Sequence, residues 1–196
     1  MTPLYAASPA ARVVYSAVLV LWVLSEAFVF TRHVTIAGDR RQDRLSGPAL
    51  IGFLLLGVFL GSVAATALPG FAIREGWPLV FALGALLALA GIAFRWYAIT
   101  TLGRFFTTRV RTVSDQKVVD TGPYRWVRHP SYTGALMTVL GVLLCSTNWI
   151  SLACFVLALP GFAYRIRVEE RALAAALGQP YEQYMRRTKR LVPFVV

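Results

Sequence analysis

Charge is scarce in this chain. Only 15% of its 196 residues are Asp, Glu, Lys or Arg, and nine residues are acidic, which excludes an ordinary water-exposed surface. Cysteine and histidine number two each. Cys145 and Cys154 share one apolar stretch, His33 and His129 lie far apart, and no carboxylates gather near the thiols. Neither a disulfide framework nor a zinc or iron centre is expected, so no metal is assigned. The alternating βα pattern with a glycine-rich turn that marks soluble nucleotide-binding folds is missing too. Internal repeats, low-complexity tracts and composition shifts are absent, which leaves one membrane domain over residues 1–196.

What is present is hydrocarbon: 57% of residues are hydrophobic and the mean hydropathy is +0.61. Crossing about 30 Å of bilayer takes roughly 20 apolar residues, and the runs 13–31, 49–69 and 79–98 each suffice. A further run is broken at Ser146, Thr147 and Asn148, where small polar residues favour a turn, and reads as a hairpin of shorter spans over 132–147 and 149–164. The expectation is an all-α integral membrane protein with about five transmembrane helices, a cytoplasmic cap loop and a C-terminal cytoplasmic helix. Residues 1–11 lack the basic cluster of a secretory signal, so the first apolar run is expected to be a retained span. With five spans, 18 of the 20 basic residues, all but Arg12 and Arg74, fall on one side. The positive-inside rule then places the N-terminus outside and the C-terminus in the cytoplasm. The ratio of 18 Arg to 2 Lys points to a GC-rich, bacterial genome and hence a plasma membrane.

The same asymmetry accounts for a net charge of +11 without nucleic acid: it is a topology signal and a contact with anionic headgroups. Phe105, Phe106 and Trp126, interleaved with the arginines, fit an interfacial aromatic belt. Gly57 and Gly61 form a small-xxx-small pair, read as routine helix packing. Glu26 lies midway along the first span; an ionisable residue there is costly and is a functional candidate, open between a structural hydrogen bond and a substrate contact. Arg95, near the cytoplasmic end of the third span, is expected to snorkel to the headgroups.

Chemistry concentrates on the cytoplasmic side. Residues 103–122 read as an ordered cap with short extended stretches rather than a long helix. His129 precedes Pro130, which pushes His129 out of helical geometry and makes Pro130 a first-turn residue. A helix therefore begins at Pro130, and its free amides, with Arg125 and Arg128 nearby, could seat a carboxylate, a phosphate or a lipid headgroup. Residues 164–177, YRIRVEERALAAAL, form a second helix ending at Gly178. Arg165 and Glu169 share one face, and Arg167 and Glu170 another. The first pair could close a pocket or be an ordinary surface ion pair.

GPYRWVRHPSYTG, followed across the hairpin by RIRVEERALAAALGQPYEQYMRRTKRLVP and preceded by WYAITTLGRFFTTRV, closely resembles the isoprenylcysteine carboxyl methyltransferase family and its relatives among membrane phospholipid methyltransferases. The resemblance covers about half the chain, residues 95–193, which becomes the catalytic, cofactor-binding half. It implies an S-adenosylmethionine-dependent methyltransferase that releases S-adenosylhomocysteine. Its acceptor would be a lipophilic small molecule or lipidated substrate arriving from the membrane lipids, with an isoprenylcysteine-like carboxylate foremost. Carried over by motif, cofactor contacts fall on Gln116, Lys117, Val118, Val119, Tyr124, His129, Pro130, Ser131, Tyr132 and Glu169. The substrate-orienting arginine falls on Arg165, and Arg109, Arg111, Glu170 and Glu26 are further candidates. A carboxylate acceptor is already ionised and needs no base, whereas N-methylation of a phospholipid amine or S-methylation of a small thiol would call on Glu169, Glu170 or His129. Outside methyl transfer, an anionic-lipid-binding membrane protein and a nicotinamide-dependent reductase are the competing classes.

Overall fold

The computed structural model describes residues 3–34, 45–107, 115 and 117–192. Its elements in chain order are α1 (Leu4–Ala7), α2 (Pro9–Val34), α3 (Ser46–Ala67), α4 (Trp77–Leu102), α5 (Pro130–Cys145), α6 (Trp149–Ala153), α7 (Leu159–Leu177) and α8 (Gln179–Arg187). Among the described residues there is no strand, only isolated bridges. Stretches long and apolar enough to cross a membrane cover Pro9–Thr31, Ser46–Ala67, Trp77–Phe105 and Trp149–Leu177, and α5 is a shorter apolar helix. Leucine, valine and phenylalanine on their outer faces, among them Leu24, Leu55, Phe59 and Leu86, are exposed, as lipid contact requires.

The centre of the bundle is the antiparallel pair α4 and α5. A Cβ at Gly91 would sit 2.6 Å from the Gly134 carbonyl, and one at Gly134 would sit 2.7 Å from the Arg95 nitrogen. Bare backbone at both positions lets the helices touch, and without a hydrophobic drive between helices in lipid, that contact is what joins them. On one flank, α2 packs on α4 and α5; on the other, α3 packs on α6, α7 and the turn between them. Gly57 and Gly61 belong to this second seam, facing Cys154 and Ser151.

At the hairpin, Thr147 turns the chain with φ 47°. Asn148 then caps α6, its side-chain oxygen accepting from the amides of Ile150 (2.9 Å) and Ser151 (3.1 Å), while its amide nitrogen donates to the Leu68 carbonyl at 3.0 Å. Between α6 and α7 the helix tightens to 3-10 geometry over Cys154–Ala158, because Pro160 has no N–H to continue the α ladder. From Leu159 onward α7 runs unbroken to Leu177. The fifth apolar run and the charged helix after it are thus one element: the residues around Tyr164 hold no breaker, and the chain stops only at Gly178, φ 59°. Five charges between Arg165 and Arg171 make that half of α7 far more polar than the half before it.

Candidate active site

His129 has φ −124° and ψ 55°, and Pro130 opens α5. Four amides around this junction are engaged. Arg128 N donates to the Lys189 carbonyl at 2.7 Å and His129 N to Arg190 at 3.0 Å, while Tyr132 and Thr133 both donate to the His129 carbonyl. The C-terminal strap after α8 lies along residues 126–133, pinned also by Thr133 Oγ1 donating to the Leu191 carbonyl at 2.7 Å. The strap thus supplies carbonyls to the two amides that precede the helix, while Tyr132 and Thr133 close on His129 within its first turn. Of the two arginines expected nearby, Arg125 stacks over Trp126, and Arg128 bonds Glu170 and the carbonyls of Met185 and Thr188.

Two adjacent glutamates on α7 face different surroundings. Glu170 is 8% exposed and takes Arg128 Nε at 2.8 Å, Arg190 Nε at 3.0 Å and His129 Nε2 at 3.4 Å. Burial would raise this carboxyl, but the hydrogen bonds from His129 and Arg128 outweigh it and hold its pKa at about 2. Arg167, expected beside Glu170, is exposed. Glu169 instead accepts from the Tyr132 hydroxyl at 2.7 Å. That hydroxyl in turn accepts from Arg165 Nε at 3.2 Å, so one phenol ties the two charged residues of the face together. The Tyr132 ring stacks on His129 at 5.6 Å and meets Phe162 edge-on.

Arg165, only 4% exposed, reaches further, donating from Nη1 to Ser46 Oγ at 2.9 Å. Ser46 opens α3 from across the bundle. Nothing in the sequence singles it out except its place one turn before an apolar run.

These groups border one cavity of about 750 Å³. Lys117, Val118, Val119, Tyr124, His129, Ser131, Tyr132, Arg165, Glu169 and Glu26 all line it, joined by Phe105 and Phe106 of the cap, while Pro130 and Glu170 stand behind its wall. Gln116, Arg109 and Arg111 lie outside the described residues. Burial, with Glu169 and Tyr184 nearby, pushes the Tyr124 phenol far above its ordinary range, so it stays protonated at neutral pH. The other end of the cavity is apolar, formed by Trp22 and Val23 of α2 and Leu50, Ile51, Leu54 and Leu55 of α3. Here Glu26 meets Arg95, with Oε1 2.7 Å from Nε and Oε2 2.9 Å from Nη2. Arg95 is not snorkelled outward as expected; it is 13% exposed, drawn inward by this partner on α2. Among the described residues no cluster of metal-ligating side chains occurs.

Residues 83–175 match the sequence model of the isoprenylcysteine carboxyl methyltransferase (ICMT) family. The protein-S-isoprenylcysteine O-methyltransferase of Saccharomyces cerevisiae is 38% identical over 116 residues, 58% of this chain and 48% of the yeast protein. The probable enzyme of the same name from Oryza sativa subsp. indica is 32% identical over 126 residues, 63% of this chain and 65% of its own. The chain thus spans about half to two thirds of the length of these relatives. In three dimensions it is similar to the structure of the eukaryotic intramembrane Ras methyltransferase ICMT, with a TM-score of 0.63, 23% identity, and coverage of 92% of this chain and 65% of the other. That likeness establishes the all-helical fold and, with the apolar helices, a multi-pass integral membrane protein. The matched segment runs from Leu83 in α4 through the cap, the His129–Tyr132 element and α7, and over it the chain is similar to the isoprenylcysteine carboxyl methyltransferase family.

Proposed function

We propose that this protein is a membrane methyltransferase using S-adenosylmethionine to esterify the carboxylate of a lipophilic, isoprenylcysteine-like substrate that enters from the bilayer. The observation that carries this reading is the continuity of one cavity from an ionic station, Arg165–Tyr132–Glu169, to an apolar cleft between α2 and α3. Its volume of about 750 Å³ lies in the range of ligand pockets, about 300–1,000 Å³. A sulfonium nucleoside suits the donor set: aromatic walls from Tyr124, Tyr132 and His129, with the Glu169 carboxylate available to polar hydrogens. Lys117, Val118, Val119 and Ser131 complete that side, and the family motif adds Pro130 and Gln116 as expected donor contacts. S-adenosylmethionine supplies an electrophilic methyl group.

The chain's own contribution is orientation. Arg165 pairs the acceptor carboxylate through its guanidinium. Tyr132, accepting from Arg165 and donating to Glu169, fixes the distance between the acceptor and donor sides. Leu50, Ile51 and Leu54 exclude water from the carboxylate, whose nucleophilicity rises when it is dehydrated. No side chain has to remove a proton, because the acceptor is ionised at neutral pH. The charge asymmetry supports a cytoplasmic ionic end, with the N-terminus outside a bacterial plasma membrane.

The test is incubation of the purified chain with membranes and methyl-labelled donor. Label released as methanol by mild base identifies an ester. Base-stable label in lipid would instead identify amine methylation, and no transfer would overturn the enzymatic reading.

A further inference from the structure

The Glu26–Arg95 pair is costly where it stands. Two apolar side chains would join α2 and α4 at a lower desolvation cost. What an apolar pair lacks is the third arm of the guanidinium: Arg95 Nη1 donates to the Ser131 carbonyl at 3.1 Å. Arg95 Nη2 donates to Glu26 Oε2 while Nε lies beside Oε1 without hydrogen-bond alignment, and Nη1 still reaches a backbone acceptor, a bridge that its planar fork allows and an ammonium does not.

Ser131 lies in the first turn of α5, between His129 and Tyr132. Gly134 brings the α5 backbone directly against Arg95, so the side chain and the helix contact fix the same turn. A change in that turn moves the Tyr132 ring and with it the hydroxyl shared by Arg165 and Glu169. Glu26, Arg95 and Ser131 all line the cavity, and Glu26 sits on a helix of the acceptor wall.

We propose that Arg95 is a positioning residue for the donor side, held in register by Glu26 and acting through the Ser131 carbonyl on Tyr132. The inference rests on the reading of the His129–Tyr132 element as donor-binding.

Two variants separate positioning from helix stapling, measured on the full chain in lipid nanodiscs by melting temperature and by S-adenosylmethionine affinity. R95K keeps the charge pair but cannot bridge both partners. E26L/R95L replaces the pair with packing and is expected to melt at or above wild type. Both are expected to bind the donor about ten-fold more weakly, the loss of one hydrogen bond from a charged donor. Wild-type donor affinity in both folded variants would overturn the inference, leaving the pair a staple. Absence of donor binding in the wild type would overturn the donor site and this inference with it.

Discussion

Glu169 and Glu170 are neighbours in sequence and opposites in circumstance. Successive residues on a helix point about 100° apart, so one side chain enters the cavity and the other enters the seam under the C-terminal strap. Among the described residues Glu170 has three cationic or imidazole partners and 8% exposure, whereas Glu169 bonds one phenol and borders open volume. A carboxylate whose valences are filled by its own chain stabilises the fold, and one left with capacity serves a ligand. Under the proposed function the two regions divide the work: the strap cluster would hold His129 in place, and the Arg165–Tyr132–Glu169 station would meet the reactants.

The strongest challenge to that division is Arg165→Ala. Removing the orienting guanidinium is expected to lower methyl transfer by about 10²–10³-fold, with the protein still folded; an unchanged rate in the transfer assay would collapse the comparison. Glu170→Ala is the counterpart, leaving Arg128 and Arg190 facing a void. Breaking a buried pair in this way costs about 3–5 kcal/mol, to be read as a drop in melting temperature, with a smaller loss of turnover per folded molecule at low temperature. Tyr132→Phe keeps the ring against His129 and Phe162 but removes the shared hydroxyl, for an expected loss of about ten-fold in kcat/KM. Ser46→Ala removes one of the Arg165 contacts, and a few-fold rise in the acceptor KM alone is expected.

Acid sharpens the contrast further. The Glu170 carboxyl lies at about 2 in the folded protein against an ordinary 4.5, so its contribution to stability is complete above about 4.5 and fades as the pH falls towards 2. Melting temperature should therefore decline through that window in wild type and decline less in Glu170→Gln.

The apolar runs of α2, α3 and α4 were legible in the sequence because bilayer thickness dictates their length, and the α5 start was legible because proline geometry is local. The partnerships were not. Glu26 and Arg95 are 69 residues apart and Arg165 and Ser46 are 119 apart, and no periodicity links them. The i,i+3 rule paired Glu170 with Arg167, but its partners are Arg128 and His129 ahead of α5 and Arg190 in the strap, whose parallel bridge between Val127 and Lys189 has no sequence signal. The same strap takes the Arg128 and His129 amides just ahead of the helix. The split between Glu169 and Glu170 required knowing which side of α7 faces the cavity, and the aromatic that decides it, Tyr132, is on another helix.

The most direct measurement of the central claim is calorimetric titration of S-adenosylmethionine into the purified chain, with Glu169→Gln and Glu170→Gln in parallel below their melting temperatures. The account predicts that wild type binds, that Glu169→Gln loses at least about ten-fold in affinity without a lower melting temperature, and that Glu170→Gln loses stability first. Equal donor affinity in Glu169→Gln and wild type, or a lower melting temperature in Glu169→Gln than in Glu170→Gln, would contradict it.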